Sequence, residues 1–292
     1  MYDSKPILEF DERKTRQRIL KLISYYRNNV LCGNRFVCKS RLDCQDSVAE
    51  NLNFYAGQLS HVGKRYDLLK NAKELRIVIS GIEYGHPPAK VNTLARRKMI
   101  LNRVGMDKRY YSNGNHGPRN PHMRGTTLLM RRILLGSESL REYYDWGTEF
   151  VGETGQRKDH DHIFNMFALV SFLLCSAVGN DMKGQSSKVM LRRCSAHYLA
   201  TLEILEPTLV IFQGKGRFKE VLNAAGILNL WQQKSEYLGY FRRNRLEFVT
   251  CEFTHPAARN NNRAWGDKPT RPYFKDVVLP TLRQALIEMN LE

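Results

Sequence analysis

Chemistry-bearing residues gather in short runs that each follow an apolar stretch. Gly81-Ile82-Glu83-Tyr84-Gly85-His86-Pro87-Pro88 offers a carboxylate and an imidazole three positions apart. Gly214-Lys215-Gly216-Arg217 is a glycine-basic loop, and Thr254-His255-Pro256-Ala257-Ala258-Arg259 adds a second imidazole before Asn260, Asn261 and Asn262. Ser171 and Cys175 lie at the end of a further apolar run. One carboxylate, two histidines and several basic groups suit acid/base or electrostatic work on a substrate that carries phosphate.

The elements that must position these residues are legible as four short apolar runs. They are Arg76–Ser80, Met166–Leu174, Thr208–Gln213 and Glu247–Glu252. Helical spacing is found over Thr126–Leu135, Val189–Leu205 and Phe218–Ala225, and Asp276–Asn290 reads as a closing helix despite Pro280. Buried strands alternating with helices imply right-handed crossovers and a parallel sheet covered on both faces. The expected fold is α/β, a three-layer α/β/α sandwich around a four-stranded parallel sheet. In such sheets ligands bind beyond the carboxyl ends of the strands, where the runs above fall.

A chain of 292 residues with 42% hydrophobic side chains buries a sizeable core, and a single domain spanning 1–292 is expected. Lysine and arginine exceed aspartate and glutamate by 46 to 29, a net charge of +17. A surplus of that size attracts polyanions, so nucleic acid is the first partner to consider, ahead of an anionic membrane surface or a merely solvated basic surface. DNA is the partner that the resemblance given below implies. A basic amphipathic helix is expected over 11–30, with Arg13, Lys14, Arg16, Arg18, Lys21 and Arg27 opposite an apolar stripe. Solvation alone also accounts for such a face. Residues 141–162 read as an irregular insertion containing Tyr143, Tyr144 and Trp146. The segment Asp107–His122 is a polar loop with Tyr110 and Tyr111, and aromatics among basic groups suit stacking on exposed bases. No run is long enough for a membrane span and no signal-peptide pattern opens the chain, so no membrane partner and a cytoplasmic location are expected. No obligate protein partner is evident.

The runs also carry a resemblance. Gly81 to Pro88 is similar to the first motif of the uracil-DNA glycosylase superfamily, GQDPYHGP, with Glu83 at the place of the family's aspartate. His255-Pro256-Ala257-Ala258 resembles the second motif loop, and Pro121-His122-Met123-Arg124-Gly125 occupies the place of the PFVG segment. Cys194 through Leu199, then Glu206-Pro207 through Ile211 and Gly214, resemble the family's helix and third strand. The similarity runs in order from about Cys38 to Ala258.

The resemblance implies hydrolysis of an N-glycosidic bond in DNA by a monofunctional enzyme. Glu83 would stabilise the cationic sugar and orient water, and His255 would donate a hydrogen bond to the departing base. His86 would orient water or the sugar. Ile82, Tyr84, His122 and Ser171 would line the base pocket, with Lys215, Arg217, Arg259 and Asn260 on the DNA. Read from the residues alone, Glu83 is equally a loop carboxylate paired with a lysine, the histidines can shape their loops, and the basic groups can be solvated.

The cysteines point to the iron–sulfur branch of the superfamily. There a pair near the N-terminus joins one cysteine after the second strand and one at the next helix start. Cys175 and Cys194 match the latter pair, and Cys38 and Cys44 are the chosen N-terminal pair, with Cys32 as substitute. Four thiolates hold a [4Fe–4S] cluster or, alternatively, zinc. Ordinary buried thiols are the other reading, which Cys251 fits.

Two departures bear on substrate. Uracil-specific members carry an asparagine where this chain has Ser171, and a stacking phenylalanine where it has His122. Losing a bidentate amide reader removes the donor–acceptor match to uracil. A modified pyrimidine, for instance in phage DNA attacked in defence, is therefore expected, with uracil repair as the alternative. Two rivals stand beside it. One is a metal-dependent nuclease built on Asp159-His160-Asp161-His162, and the other a non-catalytic DNA-binding protein on the same scaffold.

Overall fold

The computed structural model describes residues 8–33, 35–82, 121–136, 163–180, 184–258, 263–266 and 270–292. The first elements are β1 (Leu8–Phe10) and α1 (Glu12–Asn29). Asp11 caps α1 by accepting from the amide of Lys14 at 2.8 Å, which satisfies one of the helix's free donors. Leu22, Ile23 and Tyr26 lie on one face and are buried, so this is the core stripe of the expected basic helix. One member of its basic set is misplaced, however. Arg18 is turned inward, with Nε 2.9 Å from Asp67 and Nη1 3.0 Å from Glu206. Thr15, also on the inner face, completes the group by donating to Asp67 at 3.1 Å.

A hairpin of β2 (Leu31–Cys32) and β3 (Arg35–Phe36) leads to α2 (Arg41–Asp46). Short strands follow: β4 (Asn53–Ala56), β5 (His61–Val62), β6 (Leu68–Lys70) and β7 (Lys73–Leu75). Then come β8 (Ile77–Gly81), α3 (Pro121–Leu135), β9 (Ala168–Ser171), β10 (Cys175–Val178), α4 (Lys188–Leu205) and β11 (Leu209–Gln213). The chain continues through α5 (Arg217–Ala224), β12 (Trp231–Gln233), β13 (Leu238–Arg243) and β14 (Leu246–Phe253). A π turn at Phe274–Val278 runs into α6 (Leu279–Glu288).

The fold is mixed α/β. Its main sheet has seven strands in the order β12-β13-β14-β11-β8-β9-β5, wider than the four expected. The pairs β14–β11, β11–β8 and β8–β9 are parallel, whereas β12, β13 and β5 join antiparallel. The run Met166–Leu174 is not one strand. After β9 the chain leaves the main sheet, and β10 pairs antiparallel with β4 in a separate ribbon. The amides of Phe172 and Leu173 still bond to Gly81 and Ile82, at 2.8 Å each, so the exit is pinned to the end of β8.

Alternation along the strands feeds two cores. Val78, Val210, Phe212 and Phe248 pack with residues of α1, α4 and α5. Ile77, Ile79, Leu209, Ile211 and Cys251 pack with α3, α6 and the π turn. A period of two makes neighbouring residues face opposite ways, so apolar side chains at every position demand cover on both faces. Cys251 is fully buried in the second core and is a packing residue, as expected. Among the described residues, no helix is long and apolar enough to cross a membrane.

Candidate functional site

Because β14, β11, β8 and β9 run the same way, their carboxyl ends share one edge. Along it lie Phe253, Gln213, Gly81 and Ser171. Chain order puts β9 on one side of β8 and β11 on the other, so the connection reverses direction between β8 and β11. Such a reversal leaves a crevice in open sheets of this kind.

Two histidines meet over that edge. His122, in the first turn of α3, is held to Gln213 at the end of β11, its Nε2 lying 2.5 Å from Oε1. Gln213 in turn donates through Nε2 to Thr126 Oγ1 at 2.9 Å, and Thr126 donates to the His122 carbonyl at 3.1 Å. Each donor is thereby assigned, so His122 donates its Nε2 proton and keeps Nδ1 as an acceptor. His255, on the loop after β14, packs beside it with ring centroids 4.7 Å apart and planes tilted by 38°. The amide of Ala257 donates to His255 Nδ1 at 3.2 Å. In a neutral imidazole that leaves the proton on Nε2.

Both rings are disposed to stay neutral. Burial lowers the pKa of His122, partly offset by the bond to Gln213. Loss of solvation by packing, then the neighbouring His122, lowers that of His255. Part of His255 reaches solvent, which limits how far its shift goes; the direction is common to both rings.

The loop carrying His255 is braced from below. Trp265, fully buried, donates from Nε1 to the Thr254 carbonyl at 2.8 Å, and the amides of Trp265 and Gly266 bond to the Pro256 carbonyl. Gly125 of α3 lets this loop approach. A Cβ there would stand 2.7 Å from Pro256 Cβ and 2.9 Å from the Trp265 ring. Beside His255 opens a cavity of about 470 Å³ whose lining includes Lys215, Tyr237, Thr254, Arg263 and Tyr273.

The remaining expected residues divide. Ile82 is half-buried against the first core, and Ser171 lies in register with Gly81 at the end of β9. Lys215 and Arg217 are exposed, but each already has a carboxylate. Lys215 pairs with Glu236 and sits 4.4 Å from the Tyr237 ring centroid, and Arg217 pairs with Glu220 at 2.6 Å. Glu83, Tyr84, His86, Arg259 and Asn260 lie outside the described residues, as do the insertion 141–162 and the run Asp159-His160-Asp161-His162.

Sequence reasoning missed Glu252. This residue is 4% exposed and lies near the backbone at the start of α5, where the Gly216 and Phe218 amides counter the effect of burial on its carboxyl. Burial raises its pKa, and among the described residues its Oε1 has no hydrogen-bond partner. The only signal was an acidic residue within an otherwise apolar strand. A buried carboxylate beside a glycine-basic loop works against an anion binding there.

Away from this edge, four thiols form a group. Cys175 is acted on electrostatically by Cys194, Cys44 and Cys38, Cys194 by Cys44 and Cys38, and Cys44 by Cys38. Burial raises the thiol pKa of Cys44 to about 11 and also raises those of Cys175 and Cys194. The backbone amide of Gly57 bonds to the Leu174 carbonyl at 2.9 Å, beside Cys175. Cys194 lies in the second turn of α4, inside the helix and not at its start. Cys32 is exposed in the β2–β3 hairpin and takes no part in these couplings. Among the described residues, no group of three or more His, Cys, Asp or Glu side chains is arranged to hold a metal ion as it stands.

Compared with known proteins, the chain matches no protein-family model and no curated protein.

Proposed function

We propose that the protein is a DNA glycosylase acting on a flipped-out base, a modified pyrimidine and not uracil alone. The observation that carries this reading is the fixed tautomer of His255. With Nδ1 accepting from Ala257, a neutral ring offers Nε2–H as a donor at the carboxyl edge of the sheet, beside an open cavity. A departing pyrimidine gathers negative charge on its carbonyl oxygen, and a preset donor stabilises that charge more than it stabilises the intact nucleotide.

In this reading the bond between C1′ and the base nitrogen breaks, and its electron pair leaves with the base. His255 Nε2–H bonds to the base oxygen as the charge forms. Water adds its oxygen to C1′, and its proton passes to the Glu83 carboxylate or to solvent. Flipping costs a few kcal/mol, which contacts to the phosphate backbone offset. The scaffold is then a three-layer α/β/α sandwich whose parallel central strands bring the catalytic loops to one edge.

The same reading includes a [4Fe–4S] cluster on Cys38, Cys44, Cys175 and Cys194, with zinc as the alternative. Zinc bonds of 2.3 Å would set tetrahedral sulfurs about 3.8 Å apart. A cluster here would supply a cross-link between the N-terminal segment, β10 and α4.

The test is release of free base from a panel of DNAs, uracil-containing, unmodified and carrying modified cytosines, read by mass spectrometry. Glu83→Gln and His255→Ala are run alongside. Release by the wild type, reduced about 10²–10³-fold in His255→Ala, supports the assignment. Binding without release from any DNA would replace it with a non-catalytic DNA-binding role.

A further inference from the structure

Several surface arginines are matched to a carboxylate. Arg193 pairs with Asp43 at 2.8 Å, Arg217 with Glu220 at 2.6 Å, Arg242 with Glu247 at 3.0 Å and Arg243 with Glu203 at 3.2 Å. The outer face of α1 is different. The acidic residues at its start are engaged, Asp11 with Lys14 and Glu12 with Arg65, and Arg18 is turned inward to Asp67 and Glu206. Arg13, Arg16, Lys21 and Arg27 are exposed and, among the described residues, pair with no carboxylate.

The three arginines fall on one stripe. Arg13, Arg16, Leu20, Ser24 and Arg27 recur at spacings of three and four, opposite the buried Leu22, Ile23 and Tyr26. At about 1.5 Å per residue the array spans about 21 Å. Helix stability does not account for it. Arg13 stands in the first turn, where the macrodipole favours anions, and Arg16, three residues on, repels it. A polyanion laid along the stripe reverses both effects.

The chemistry of the stripe selects duplex DNA. A helix that lies on a membrane inserts a free apolar face, and α1 has buried its own in the first core. A single strand is held by stacking on exposed aromatics, and this stripe has none. A stiff duplex carries a phosphate about every 3.4 Å along each strand, so the array covers the backbone of about six base pairs. The arginine fork suits phosphate oxygens. We propose that the outer face of α1 is a sequence-independent docking surface for the phosphate backbone of duplex DNA. It lies apart from the two histidines, because α1 covers one face of the sheet and α3, which carries His122, covers the other. The glycosylase chemistry is not needed for it; a non-catalytic DNA-binding protein would use the face in the same way.

The experiment measures binding of the full-length protein to a short unmodified DNA duplex by fluorescence anisotropy over a series of salt concentrations. One variant combines Arg13→Gln, Arg16→Gln and Arg27→Gln, since glutamine keeps helix propensity. A second combines Arg193→Gln, Arg242→Gln and Arg243→Gln, removing the same charge from arginines that already hold a carboxylate. The slope of log affinity against log salt should fall by about 3 in the first, about 1 for each phosphate contact, and stay near wild type in the second. A wild-type slope in the first variant, or an equal fall in both, overturns the proposal. Should the first variant fail to fold, its three single substitutions decide: a fall of about 1 in each supports the surface, and unchanged slopes overturn it. Binding to phosphatidylserine vesicles that the α1 substitutions abolish, with the DNA slope unmoved, would give the face to a membrane instead. Base release is not read, so failure here leaves the glycosylase assignment standing, and failure of that assignment leaves this face standing.

Discussion

The rings of His122 and His255 lie 4.7 Å apart, one tied to the end of β11 and the other to its own loop amide. The first is fixed by Gln213 and Thr126, so the second packs against a wall that cannot rotate. Both pKa values move down on folding. Over the window below the ordinary histidine value near 6.5, the unfolded chain takes up protons that the folded chain refuses. Stability is therefore fully present above that value and declines as the pH falls below it. Thermal midpoints should drop between pH 7.5 and 5.5, and His255→Phe should flatten part of the drop. An equally steep profile in the variant would show that His255 does not titrate in this way.

Gly125 sets how closely α3 meets the His255 loop. The nearest obstacles to a methyl are a proline carbon and a buried indole, neither of which swings aside. Gly125→Ala should cost about 1–3 kcal/mol, read as a lower midpoint in guanidinium, and should depress base release beyond the loss of folded protein. Wild-type release per folded molecule would mean that the loop tolerates the shift.

The cysteines should separate cleanly by substitution. In the cluster reading, serine at Cys44, Cys175 or Cys194 would remove the metal, whereas Cys32→Ser and Cys251→Ser would retain it. Cys32 is exposed outside the group, and Cys251 is sealed in the opposite core. Elemental analysis of the purified variants checks this. Metal loss in Cys32→Ser would exchange the roles of Cys32 and Cys38.

Lys215 can reach DNA only by leaving Glu236. That pair is exposed and weak, so phosphate competes well for the ammonium group. Glu236→Gln should tighten DNA binding, and Lys215→Ala should weaken it while reducing the slope of log affinity against log salt by about 1. Titrations at several salt concentrations give both numbers, and an unchanged slope would remove Lys215 from the interface.

Much of the scaffold was readable because β8, β11 and β14 are apolar at successive positions, which only a doubly covered strand sustains. The same property hid the break after Ser171. Phe172, Leu173 and Leu174 are buried on leaving the main sheet, so hydropathy stays high while the hydrogen-bond partner changes from β8 to β4. The β13–β14 hairpin carried a signal that was passed over, Arg243-Asn244-Arg245 between two β-rich runs, with Asn244 at φ 54°. Arg18 was assigned to the solvent face because its partner Asp67 is 49 residues away, beyond any local pattern. For the site, a strand end located His255, but Gln213 was read only as the end of a strand, because its bond to His122 joins positions 91 residues apart and has no trace in either motif. Spacing favoured Cys38 and Cys44 with Cys32 as substitute; of these, Cys44 is buried on α2, which packs near α4, while Cys32 is exposed.

The grouping of Cys38 and Cys44 with Cys175 and Cys194 also bears on how the chain is made. About 130 residues separate Cys44 from Cys175. A ribosome adding some 5–20 residues per second exposes the first two thiols several seconds before the last two exist. Any metal they share must wait for that interval, or be delivered to a chain already collapsed around it. Closing so long a loop costs only about 0.6 kcal/mol for each doubling of its length. If the proposed centre forms, timing of synthesis, more than the entropy of closure, would be the step at which metal supply and folding meet.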